Sequence, residues 1–452
     1  MHSPGPTPRP PLRPLPQAGG PAMAPPLALP ALHFAATLGW LAVAAPVLLL
    51  IGPRLVRGLV FDPLVIAFVH IVMLGAMGSA IFGTLLQFVP GGLGVPLRSF
   101  RLGYWGFWLF QIGVLALVTG FWWWRGALQG IGWLFIFAAV GAHSRNTLRA
   151  RRHSVNGRLV ATYVTVAHSA LGFGMAIAAA RIGETLGWWH VDRLYLLAAH
   201  ALLGAVGFGT LSAIGVGSRM IPTFLSAPGD DRRWLVWHLW LTSIGLTVFA
   251  LGAVLTQRWL LRAGSLTVLI GGALATWLLA SWFRRRQRSL DAPLRHVALA
   301  AIAFGTAVVM GVMIFVGSPL SLHHWAAALL VLLLGWLIML VIGVMSKILP
   351  HITFLHLAPS RPRLRAMGSP NNLLRTDWQI LAASGLAGGW MLLALGVWMQ
   401  HRMLVTIGAV SWSVGTLAVV ANYLRLFVMG LPRTAPKATP ETAPETAPAS
   451  RA

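Results

Sequence analysis

FDPLVIAFVHIVMLGAMGSAIFGTLLQFVP, residues 61–90 of a 452-residue chain, is long enough to cross a bilayer. It carries one imidazole, His70, about two turns into the apolar run, with Gly75, Gly83 and Pro90 following. The same skeleton returns twice. Counted back from the closing proline, glycines stand fifteen and seven positions earlier in Gly75/Gly83/Pro90, Gly207/Gly215/Pro222 and Gly335/Gly343/Pro350, and the copies lie 132 and 128 residues apart. Each copy has histidine toward its start: His70, His200, and the adjacent His323 and His324. The second and third copies also end alike, with Ser218-Arg219-Met220-Ile221-Pro222 matching Ser346-Lys347-Ile348-Leu349-Pro350 and Thr-Phe-Leu after each.

The rest of the chain has the same character. It is 57% hydrophobic and only 10% charged, with mean hydropathy +0.75, where soluble domains carry about 25% charged residues. A polytopic all-α membrane protein follows. Scanning for runs of roughly 20 apolar residues places helices near 33–52, 63–89, 104–124, 126–143, 159–182, 193–217, 234–256, 263–283, 296–317, 325–349, 377–399 and 405–429. The glycine–proline skeleton falls on the second, sixth and tenth of these twelve. The expected architecture is therefore three four-helix repeats forming a pseudo-threefold bundle over residues 33–430. Residues 1–32 are Pro-rich and residues 431–452 repeat Ala, Pro and Thr, so both segments are expected to be disordered. The first apolar run has no convincing cleavage site and reads as a retained helix. The closing prolines are expected to end their helices.

The formal charge of +25 is not a nucleic-acid signature, because the arginines sit in short loops where an anionic leaflet is partner enough. Loops after even-numbered helices hold twenty Lys and Arg and those after odd-numbered helices eight, which predicts both termini in the cytoplasm of a bacterial inner membrane. Helices two, six and ten then descend from the outer face, and His70 and His200 lie a third of the way down. The remaining histidines, among them His143, His168 and His296, read as dispersed. With no cysteine in the chain, disulfides and thiolate metal sites are excluded.

An imidazole in a membrane helix is costly unless paired, hydrated or coordinated, and neutral imidazole suits both haem iron and copper. His70 and His200 are the candidate cofactor ligands on that ground, against the plainer reading that each bonds a backbone carbonyl. Two residues of offset turn a helix by about 200° and four by about 400°. His200 with one or both of His323 and His324 are therefore the candidates for one metal where their helices are adjacent, while the doublet alone reads equally as an interfacial cap. Gly75, Gly78, Gly204 and Gly207 would serve helix packing or make room for a flat macrocycle. No carboxylate falls mid-membrane and no Walker A, HExxH or GxSxG string occurs, which weakens ion-coupled transport and soluble-type hydrolysis. Trp clusters such as Trp122 to Trp124, Trp188 and Trp189 sit at span ends and suggest an interfacial belt.

The segments FVHIVMLGAMGSAIFGTLLQFVP, AHALLGAVGFGTLSAIGVGSRMIP and HHWAAALLVLLLGWLIMLVIGVMSKILPHITFLH, with twelve helices in threes of four, resemble the haem–copper oxidase subunit I superfamily over roughly residues 33–430. The resemblance is closest to its degenerate NnrS-like members linked to nitric oxide. It implies a helix-two haem ligand at His70 and a helix-six copper ligand at His200. The chain departs from the pattern in several places: the tenth helix has no histidine from Trp325 to Pro350, the His-His doublet precedes that helix instead of following the sixth, and the intramembrane acids have no counterpart. The expected function is a haem- or copper-binding, oxidase-like membrane protein of respiratory or nitric-oxide-related redox metabolism. Its expected partners are the bilayer and membrane proteins of that metabolism. The alternatives are a membrane permease or export component, and a non-catalytic assembly or stress-response accessory.

Overall fold

A computed structural model describes residues 25–430 apart from 155–156, 191–192, 229–230, 318–320 and 361. The expected disorder of 1–24 and 431–452 lies outside the described residues. Among those described there are helices and no strand. Twelve helices are long and apolar enough to cross a membrane: α1 (Ala28–Val56), α2 (Pro63–Leu93), α3 (Phe100–Trp122), α4 (Gly126–His153), α5 (Arg158–Thr185), α6 (Leu194–Leu225), α7 (Arg232–Val254), α8 (Arg258–Arg284), α9 (Ala292–Val316), α10 (Leu322–Leu357), α11 (Thr376–Trp398) and α12 (Arg402–Val428). The chain is a multi-pass membrane protein.

Three expectations about boundaries are corrected. Residues 28–32 belong to α1 instead of the disordered segment, because Leu29 and Phe34 are buried and anchor its first turns. His323 and His324 lie within the first turn of α10, which starts after Ser321, and do not precede the helix. The closing prolines do not stop their helices: Pro90, Pro222 and Pro350 all lie inside helical segments. In the first two copies the helix runs three residues further, to left-handed caps at Gly94 (φ 67°) and Ser226 (φ 49°). A proline that close to a C-terminus removes one late hydrogen bond without unwinding the turns before it.

Helices α2, α6 and α10 meet in the middle of the bundle. Each contains an eight-residue π-helical segment, Ile71–Gly78, Leu203–Thr210 and Val331–Ile338, with glycine at the fifth position: Gly75, Gly207 and Gly335. The three π segments touch one another. A side chain added at Gly209 would press on Leu337 and on the Met77 sulfur, and Trp336 Nε1 donates to Thr210 Oγ1 (3.1 Å), so the centre is filled by side chains. Helices α1, α5 and α9 pack on this core, and α12 returns to lie against α1, closing the ring.

The remaining six helices form the hairpins α3–α4, α7–α8 and α11–α12, whose helices approach until only glycine fits. A Cβ at Gly132, Gly264 or Gly408 would stand 2.5, 2.4 or 2.5 Å from the backbone nitrogen of Leu117, Phe249 or Leu393. Removing a side chain lets backbones come into van der Waals contact, the main attraction available between helices in hydrocarbon. Asn146 and Asn422 fasten two hairpins to their starts: each amide accepts from and donates to one backbone unit, at Ser99 and Arg375, all at 3.0 Å. Outward faces are apolar, as along Trp105, Trp108, Ile112 and Leu115 of α3, and Trp123 and Trp188 are about two-thirds exposed at span ends. Trp282, Trp336 and Trp412 are instead core residues.

Candidate functional site

His70 stands in the last turn of the α-helical part of α2, immediately before its π segment, and His200 stands three residues before the π segment of α6. The two helices run in the same direction, and their histidines come together toward the face that carries few arginines. The ring centres are 6.1 Å apart with planes inclined by 27°. Phe121 of α3 covers His70 at 4.7 Å.

Both imidazoles are held by backbone carbonyls. His70 Nδ1 lies 2.8 Å from the Ile66 carbonyl oxygen, one turn back on its own helix. His200 Nδ1 lies 2.9 Å from the carbonyl oxygen of Gly174 on α5. A carbonyl only accepts, so each Nδ1 carries the proton and each Nε2 keeps its lone pair. The carbonyl contact expected for a purely structural histidine and the pre-set tautomer of a ligand are therefore the same interaction, and the proximity of the two rings is what distinguishes this pair.

The ring-centre spacing is the one a shared ion would give with both Nε2 atoms facing it. A metal–nitrogen bond of about 2.0–2.1 Å, plus roughly 1.1 Å from nitrogen to ring centre, puts two imidazoles on opposite sides of one ion on the order of 6 Å apart. Three of the four glycines that could have made room for a plate are packed against side chains: a Cβ at Gly75 would sit 2.6 Å from the Trp40 indole, at Gly78 2.9 Å from Phe110, and at Gly207 2.6 Å from the Ala170 side chain, while at Gly204 the nearest atom is the Met73 methyl at 3.8 Å. Close helix packing is therefore present at Gly75, Gly78 and Gly207.

His323 and His324 lie against one another at the start of α10, with ring centres 4.0 Å apart and planes inclined by 40°. His323 Nδ1 meets Ser321 Oγ at 2.5 Å and Gln400 Nε2 at 3.1 Å, and His324 packs against Trp398 at 4.4 Å. Relative to the shared glycine, His323 is five residues nearer the helix start than His200, on the order of 7 Å higher. Among the described residues no group of three or more His, Asp or Glu side chains could hold a metal ion. The structure thus brings together His70 with His200, and His323 with His324, but does not gather His200, His323 and His324 into one set.

Two features of this kind escaped the sequence. The clamp residues Asn146 and Asn422 stand 47 positions after the backbone units they hold, a spacing shared by both hairpins and open to detection. A cluster of His33, His143 and His168 also forms, from three helices whose histidines share no sequence spacing. A cavity of ≈260 Å³ lies elsewhere, between α9 and α11 around Arg295 and Gln379, and does not involve the histidine pair. No family model matches this chain, and no curated protein is similar to it.

Proposed function

We propose that this chain is a membrane metalloprotein whose His70 and His200 hold one redox-active ion, copper by fit, on a bundle of three four-helix units of the haem–copper oxidase kind. It works in respiratory or nitric-oxide-related redox metabolism of a bacterial inner membrane, with the arginine-rich loops and both termini cytoplasmic and another membrane protein of that metabolism as electron partner. The observation that carries this is the 6.1 Å pairing of two imidazoles whose Nδ1 protons are already committed to carbonyls. Bound copper would supply one-electron transfer. The chain's own part is to fix the tautomers through Ile66 and Gly174, to set the ring planes, and to cover His70 with Phe121, which limits water at the ligand. The recurrence of the π segments at identical offsets from Gly75, Gly207 and Gly335 supports the three-unit reading.

The permease reading gains nothing from the core, since Met77, Gly209, Leu337 and Trp336 fill the space where the central helices meet. Purified full-length protein is expected to contain copper in near-stoichiometric amount, lost in His70→Ala and His200→Ala and kept in His296→Ala. A Soret band following the same pattern would make haem the occupant. Absence of both haem absorbance and stoichiometric copper or iron from the wild-type protein would overturn the proposal.

A further inference from the structure

Twelve residues after His70 on α2, toward the arginine-rich face, Phe82 is the centre of a second group of imidazoles. His143 of α4 stacks on it with ring centres 4.1 Å apart and planes inclined by 20°. His168 of α5 lies 5.4 Å from His143 with planes only 5° apart, and 6.2 Å from Phe82. Those three separations put His168 to one side of His143, with the two ring planes nearly parallel. His33 of α1 packs its Cβ against Gly83, the residue after Phe82, and its ring against Phe107 at 4.9 Å.

All three side chains are buried, at 1% exposure for His33 and 5% for His143 and His168. His168 Nδ1 faces the Val164 carbonyl oxygen at 2.8 Å, so its proton is there and Nε2 is a bare lone pair. That Nε2 and the Nε2 of His143 are buried without a hydrogen-bond partner. Buried polar atoms almost always have partners, and a group of them in one place calls for an occupant. The His70–His200 site uses none of these residues.

The donor set narrows the occupant. It is all imidazole, with no thiol in the chain, and the described carboxylates lie at helix ends, as with Asp231 beside Arg285 and Asp291 capping α9. A divalent ion would bring two uncompensated charges into a low-dielectric bundle, where the cost rises steeply with charge. A monovalent soft ion is satisfied by two nitrogen ligands on opposite sides of it, which would need the 5.4 Å separation to open to on the order of 6 Å when the ion enters. We propose that His143 and His168 form a second, two-imidazole site for copper(I), separate from the His70–His200 pair, with His33 flanking it.

The test uses full-length protein in detergent, titrated anaerobically with copper(I) against a colorimetric copper(I) chelator. The His70→Ala/His200→Ala double variant isolates the inner site and makes its outcome independent of the outer one. It is expected to bind one tight equivalent, and adding His143→Phe and His168→Leu is expected to weaken that equivalent at least a hundredfold. An unchanged equivalent in the folded quadruple variant overturns the proposal, as does absence of tight binding in the double variant, which would leave water as the occupant. Should the quadruple variant fail to fold, X-ray absorption on the double variant with one equivalent of copper(I) decides. Nitrogen-only scattering from two imidazoles is expected, and a sulfur shell from methionine overturns the assignment.

Discussion

His70 and His200 show how one residue type acquires a role from its neighbours. Each spends one nitrogen on a carbonyl, which any buried histidine would do, and the other nitrogen remains for a ligand only because a second histidine is 6.1 Å away. His296 makes the same local contact, Nδ1 to the Ala292 carbonyl at 3.0 Å, but is paired with no other imidazole, which makes it the proper control. The clamp asparagines act at the same scale. Asn146→Ala removes two hydrogen bonds at Ser99 and is expected to cost about 1–3 kcal/mol, seen as a lowered thermal midpoint in detergent with metal content retained. Gly132→Val would drive a side chain into the Leu117 backbone and is expected to destabilise by about 1–3 kcal/mol or more, while Gly141→Ala on the same helix, with open space around it, should be neutral in the same measurement. The candidate ligands were legible from the sequence because they recur near a repeated skeleton. Their partners were not, because a 6 Å approach between α2 and α6 depends on how the two helices are rotated.

The π segments set that rotation. In a π turn the hydrogen bond spans five residues instead of four, so eight such residues change the facing of everything before them relative to everything after. They place His70 opposite His200 although the two histidines stand five and seven residues before their shared glycines. Deleting Val72 should let the segment close into ordinary α-helix and turn His70 by about 100° relative to Phe82 and Pro90. The expected result is unchanged helix content by circular dichroism and loss of His70-dependent metal binding; retained binding would show that the pairing does not depend on the π register. Apolar periodicity gave the helices themselves, with boundaries off by a few residues where prolines lie inside a helix instead of closing it. It could not give π geometry, because the hydrogen-bond shift leaves no mark in hydrophobicity.

At the scale of the molecule, nine of the twelve apolar helices make a ring closed by α12 on α1 around the three central ones. The chain has no cysteine, so single introduced thiols report sidedness directly. Ser289→Cys, in the arginine-rich loop after α8, is expected to react with an impermeant maleimide only in inverted vesicles, and Gln257→Cys, in the loop after α7, only in intact spheroplasts. The reverse pattern would place the histidine pair near the cytoplasm and refute the proposed orientation. Composition and hydropathy by themselves determined that this is an all-helical membrane protein of twelve spans, because burial in hydrocarbon demands long apolar runs with internally satisfied backbones. The internal repeat was written in the chain as well, at least in its glycines and prolines. Only the tertiary structure decided which imidazoles meet: it joined His70 to His200, gathered His143 and His168 from neighbouring helices, and held His323 and His324 together beside Gln400 and Trp398, away from His200. The physical reason is that a contact between helices depends on rotation and depth together, and neither is fixed by the spacing of residues along one helix.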